Sequence, residues 1–238
     1  MHPVQMLARC ARRLLATRTV APGGVPDVIT VLDVETSGLS ASHHRILELA
    51  AVRVPAALLL CEGAPPTSRA PLAALHALVA PPASMRLSAS VQQLTGLTKE
   101  RIRAEAAGPI EAVLPSFLAF VSGTRPAGHN VSFDLGFLRE ELRRVPFARD
   151  YNAHMGMLQG KRHAALDTLA LSRRVLPDAG SHRLSSLAEK LQLRERPAHR
   201  ALDDVLTTVD LLHALLMRME PRERVAMLAA TPSWAAAS

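Results

Sequence analysis

The chain has 238 residues, 48% of them hydrophobic, enough for one large domain or two small ones with a sizeable core. No apolar run reaches the roughly 18 residues of a transmembrane helix, so no membrane span is expected. The +7 charge is uneven: residues 1–26 hold Arg9, Arg12, Arg13 and Arg18 without an acid, and the remaining 24 basic and 21 acidic residues leave +3, too little to point to nucleic acid by itself.

The Arg-rich segment 1–26 ends in Pro22-Gly23-Gly24 and reads either as an organelle transit peptide or as a basic tail. Cys10 and Cys61 match no metal-ligand pattern and suggest a reducing compartment without a disulfide framework. The expected location is the cytoplasm, or a mitochondrion or plastid if residues 1–26 are a transit peptide. Residues 27–220 are expected to form the main domain and 221–238 a C-terminal helix and tail.

Val28–Val34 predicts a buried strand whose end carries two acids one residue apart. On a strand the side-chain period is two, so Asp33 and Glu35 point to the same face. Adjacent anions repel unless a cation lies between them, and hard divalent cations bind through carboxylates, waters and substrate phosphates. A turn or solvated rim is the plainer reading of such a pair taken alone.

Arg45–Val54 predicts a second strand and Leu72–Val79 a third, forming an antiparallel meander. Residues 55–71, with Pro55, Pro65, Pro66 and Pro71, read as a loop. Ile110, Val113, Leu114, Phe117, Leu118 and Val121 then recur at helical spacing. A short strand near Ala127 precedes Asp134 and a helix over 135–145. Leu166–Val175 reads as a strand-to-helix unit, and Leu184, Leu187 and Leu191 mark a further helix. Leu202, Val205, Val209, Leu212, Leu216 and Met219 form a final amphipathic helix behind His199. This order predicts an α/β or α+β sheet with helices packed on it. Asp134 and Asp204 each sit at a helix start, where capping or dipole compensation also explains an acid. A loop histidine such as His199 is commonly just solvated. Their joint occurrence with Asp33 and Glu35 is harder to explain that way.

Asp33-x-Glu35-Thr36-x-Gly38-Leu39, His129-Asn130-x-x-Phe133-Asp134 and His199-x-Ala201-x-x-Asp204 resemble the three motifs of the DEDDh 3′→5′ exonucleases. The chain is most similar to proofreading members, the epsilon subunit of bacterial DNA polymerase III and the exonuclease of Gram-positive replicative polymerases. Leu87–Thr98, Leu166–Arg173 and His182–Leu187 carry the likeness to the latter, and it spans about residues 28–216. The resemblance implies an RNase H-like fold: a mixed five-stranded sheet, its first three strands antiparallel, flanked by helices. It implies two divalent ions, Mg²⁺ or Mn²⁺, held by Asp33, Glu35, Asp134 and Asp204, with His199 as general base. Thr36, Gly38 and Leu39 would line the terminal nucleotide, with Asn130 and Phe133 supporting the loop and Phe133 favoured as a core residue. Asp204 has the family spacing from His199; Asp203 is one residue short and reads as a capping or solvated acid.

The expected activity is hydrolysis at single-stranded or frayed DNA 3′ ends, releasing nucleoside 5′-monophosphates, in proofreading or repair with a separate DNA polymerase subunit. Trimming of RNA 3′ ends is the nearest alternative, and a non-catalytic interaction module the rival from another class. Three departures stand out: the 55–71 segment, an insertion over 150–165, and Thr95 where epsilon-type members commonly have histidine. An aromatic content of 3% disfavours a long base-stacking platform and favours a short end-binding pocket.

Overall fold

The computed structural model describes residues 27–69, 72–145 and 165–229. β1 (Val28–Thr36) runs antiparallel to β2 (Ile46–Pro55). Two short helices follow, α1 (Ala56–Leu60) and α2 (Pro66–Arg69), before β3 (Ala73–Ala80) pairs antiparallel with β2. Next come α3 (Ala89–Thr95), α4 (Lys99–Glu105), β4 (Gly108–Pro109), α5 (Ile110–Val121), β5 (Arg125–Gly128) and α6 (Val131–Arg144). The chain continues through β6 (Leu166–Asp167), α7 (Thr168–Val175), α8 (Leu184–Lys190), α9 (Ala201–Leu216) and α10 (Pro221–Ala229). The sheet order is β4-β3-β2-β1-β5-β6, with β5 parallel to β1 and β6 parallel to β5.

The antiparallel meander and the mixed sheet match the expectation; the strand count does not. The sixth strand is the two-residue β4, which pairs parallel with Val79–Ala80. A Gly-Pro dipeptide carries no alternating pattern and no strand propensity, so only the tertiary pairing reveals it. The reading of 55–71 as a loop also needs correction. Ala56-Ala57-Leu58-Leu59-Leu60 is a run of helix formers, and Pro55 and Pro66 stand at or just inside helix starts, where a missing N–H costs nothing. Leu58 and Leu59 are buried there. The helix expected over 135–145 begins earlier, at Val131, so Asp134 lies within its first turn. Cys61 is not a free thiol, which goes against the expected reducing compartment; Cys10 lies outside the described residues.

β1 and β2 are covered on both faces, which is why β1 carries apolar residues on both of its faces rather than on one. One face places Ile29, Val31, Ala50 and Val52 against Val205, Val209, Leu212 and Leu216 of α9. The other packs Leu32, Val34, Leu49 and Ala51 against Phe117, Leu118 and Val121 of α5 and Phe137, Leu138 and Leu142 of α6. Phe117 is fully buried in this second layer. Phe117→Ala is expected to cost about 3–5 kcal/mol in urea unfolding, by lost transfer energy plus the cavity left behind; a loss under about 1 kcal/mol would contradict the packing.

The turn between β1 and β2 is held from outside. Arg144 of α6 donates to the carbonyls of Ala41 (2.6 Å), Ser42 (2.8 Å) and His44 (3.0 Å). Arg45 meets the buried Glu141 carboxylate at 2.8 Å. The loop carrying Gly38 and Leu39 is therefore fixed against α6.

Candidate active site

The pleat of β1 directs Asp33 and Glu35 to the face that also carries Ile29 and Val31, the face covered by α9. Asp204 projects from the first turn of α9. Its Oδ2 accepts the backbone N–H of His199 at 2.9 Å. His199 holds a left-handed backbone, φ 60°, and its side chain is exposed. Ligand atoms of Glu35, His199 and Asp204 all lie within 4.8 Å of one another. Asp134 enters from α6, buried, and accepts the N–H of Val34 at 3.1 Å. That bond locks the α6 start to the strand between the two β1 acids.

The electrostatics are those of an anion cluster short of positive charge. Burial, then Asp204 and Glu48, push the Asp33 carboxyl up to about 8. Glu35 is pushed up to about 8 by burial and then by Asp33, Asp204 and Glu48. Burial and Asp33 also raise Asp134, against the opposing hydrogen bond from Val34. Asp204 rises only to about 6, because the His199 N–H stabilises its anion. Acids held this far above their ordinary range bind protons tightly unless a cation replaces the protons. The donor set is all oxygen plus one imidazole, which suits a hard divalent ion.

The other expected residues surround this cluster. Thr36 donates to the carbonyl of Gly38 at 2.8 Å. A Cβ on Gly38 would lie 2.5 Å from the His44 ring, so a larger residue must displace that imidazole. Leu39 is 87% exposed, one of the large apolar side chains that face solvent. Asn130 sits at the α6 N-cap in the left-handed conformation, φ 63°, with its N–H on Asp167 at 2.9 Å. Phe133 packs on Phe137, ring centroids 4.9 Å apart, and joins the core under α6. Asp203 points elsewhere, into the wall of a separate cavity of about 450 Å³ with Val52, Thr67 and Leu72. Thr95 closes α3 by bonding the Val91 carbonyl (2.9 Å) and the Leu97 N–H (3.1 Å).

A larger groove of about 1330 Å³ runs away from His199 and Asp204 past His129, Arg173 and Arg183. Two features were not read from the sequence. Glu48, opposite Glu35 on β2, adds its charge to the cluster; an acid inside an apolar strand was the available signal. Behind the His199 loop, Arg196 donates to the fully buried Asp210 (2.8 Å) and to Thr67 (3.0 Å), while Thr67 donates to Asp210 (2.7 Å). No local pattern marks that set, because α2 is far in the chain from the loop and α9.

A helix-flanked mixed sheet with acids at the end of its central strand defines the RNase H-like class. A crystal structure of E. coli Exonuclease I in complex with a dA16 oligonucleotide superposes with TM-score 0.62 at 19% identity, over 83% of this chain and 42% of that one. The RNase_T family model, described as Exonuclease, matches residues 30–212. The chain belongs to this DEDD-type 3′→5′ exonuclease family. It is 31% identical over 197 residues to the PolC-type DNA polymerase III of Oceanobacillus iheyensis, covering 83% of this chain. The PolC-type enzyme of Thermotoga maritima is 34% identical over 178 residues, covering 75% of this chain. The chain spans only 12% and 11% of the length of those two relatives.

Proposed function

We propose that this chain is a DEDDh-type 3′→5′ exonuclease that hydrolyses phosphodiester bonds at single-stranded or frayed DNA 3′ ends and releases nucleoside 5′-monophosphates. The observation that carries the reading is the convergence of Asp33, Glu35, Asp134 and Asp204, from β1, α6 and α9, beside His199. Asp33, Glu35, Asp134 and Asp204 would hold two divalent ions, Mg²⁺ or Mn²⁺. When bound, such ions neutralise charge on the scissile phosphate and favour an in-line displacement.

The protein's own residues then position and move a proton. His199 is the imidazole that takes the proton of the attacking water. This exposed residue, on a loop anchored to Asp204, lines the larger groove. Leu39 and Gly38 receive the terminal nucleotide, Thr36 holds their loop, and Asn130 and Phe133 brace the α6 start. Arg173 and Arg183 line the groove where the strand's phosphates would lie. The PolC-type DNA polymerase III relatives favour a proofreading role beside a DNA polymerase. Residues 27–220 are assigned to the exonuclease domain, with 1–26 a basic tail or targeting segment and 221–238 a C-terminal helix and tail. No described helix is long and apolar enough to cross a membrane; a cytoplasmic location is proposed, or an organelle if residues 1–26 direct it there.

The test is cleavage of 5′-labelled single-stranded DNA and RNA in Mg²⁺, Mn²⁺ or EDTA, with Asp134→Ala as control. A metal-dependent ladder shortening from the 3′ end, at least about 10²-fold slower in Asp134→Ala, is expected, with DNA the faster substrate. Faster RNA cleavage would move the assignment to RNA trimming. No ladder from folded wild-type protein would overturn the enzyme and favour an interaction module.

A further inference from the structure

Glu48 has no role in the set described above, yet its surroundings are unusual for a structural glutamate. It lies in the middle of β2 and is 1% exposed. The β1–β2 register places it directly opposite Glu35. Facing residues on an antiparallel pair share a face, so Glu48 stands on the same side as Asp33, Glu35 and the start of α9. Two acids facing each other across a ladder repel, and burial strengthens that repulsion. The sheet tolerates the pair only if something positive lies nearby.

One of the two Glu48 oxygens has a visible partner. His76 of β3 holds Glu48 Oε1 at 2.6 Å. His76 faces Ala50 in the β2–β3 register, which puts the imidazole on the same face and on the side of Glu48 away from Glu35. The second oxygen, Oε2, is buried and has no hydrogen-bond partner among the described residues. Buried carboxylate oxygens are almost always satisfied, so one left over asks for a ligand. Glu48 acts electrostatically on Asp33, Glu35 and Asp204. The hydrogen bond with His76 explains one oxygen; it does not explain the other.

We propose that Glu48 is an outer-shell carboxylate of the divalent-cation site, its Oε1 fixed by His76 and its Oε2 free to accept a hydrogen bond from the hydration shell of the cation. This rests on the metal-dependent reading of the four acids. Outer-shell partners of this kind orient the site and typically change metal affinity by about 10–100-fold. Glutamine keeps the volume and an acceptor oxygen but removes the charge, so Glu48→Gln tests the carboxylate itself. His76→Ala, at a partly exposed position, tests its anchoring without altering any acid.

The experiment is calorimetric titration of the full chain with Mn²⁺, wild type beside Glu48→Gln, His76→Ala and Asp33→Asn, with oligonucleotide cleavage against Mn²⁺ concentration as a second readout. Glu48→Gln is expected to weaken Mn²⁺ binding by about 10-fold or more and to raise the half-saturating Mn²⁺ for cleavage in parallel. His76→Ala is expected to show a smaller shift in the same direction. Mn²⁺ affinities of both variants within twofold of wild type, while Asp33→Asn loses binding, would overturn the role of Glu48 and leave the exonuclease reading standing. A wild-type protein that binds no Mn²⁺ would overturn both. If Glu48→Gln does not fold, His76→Ala decides alone.

Discussion

Asp33→Asn is expected to lower turnover by about 10³-fold while making the metal-free protein more stable. The two effects share one cause. Asp33 sits where burial, Asp204 and Glu48 all oppose its negative charge, so its carboxyl is pushed up to about 8. Asparagine matches its shape without the charge, and relieves strain that the metal-free protein otherwise carries. The same charge is what would hold a cation against the substrate phosphate, and transition-state charge stabilisation is the largest contribution such a site makes. Turnover at saturating Mg²⁺ and the melting temperature in EDTA at pH 8.5 measure the pair. A variant that is less stable than wild type in EDTA, or that keeps a tenth of the activity, would contradict this account of the site.

The second large effect is a fall in metal-free stability as pH rises. In the unfolded chain, Asp33, Glu35 and Asp204 lose their protons near pH 4; in the folded protein they hold them until about 8, 8 and 6. Between those limits the folded state binds more protons, so the free energy of unfolding decreases with increasing pH. The contribution is intact below about pH 4 and gone above about pH 8. A drop on the order of 10 °C in melting temperature between pH 5 and pH 8.5 in EDTA is expected. Mn²⁺ competes with those protons, so the stabilisation it confers should grow through the same window. A melting temperature in EDTA that is flat or rises with pH would show that the acids are solvated and unstrained.

The parts of this molecule legible in the sequence are those written locally. The apolar run of β1 ending in Asp33-x-Glu35, and the helix starts around Asp134 and before Asp204, each announce themselves within a few residues. The antiparallel meander followed from short connections, and α9 from an apolar stripe along its 16 residues. What escaped was set by pairing across the fold. Gly108–Pro109 becomes a strand only beside Val79–Ala80. Glu48 stands out in β2 as an acid inside an apolar strand, but its place opposite Glu35 comes only from the pairing. The prolines of 55–71 suggested a loop because they were counted as breakers, whereas Pro55 and Pro66 begin helices. The insertion expected over 150–165 lies, apart from Ala165, outside the described residues.

The contact between α2 and the His199 loop bears on how this domain can be rebuilt. Surface excursions rich in proline are the usual places to cut or splice when domains are grafted. Here Thr67 shares a buried carboxylate with Arg196, three residues ahead of His199. A chimera that moved the histidine loop and α9 into a scaffold lacking the 55–71 excursion would leave Asp210 with its arginine but without its hydroxyl. The excursion, the loop and α9 are one transplantable unit, and a graft should carry all three or none.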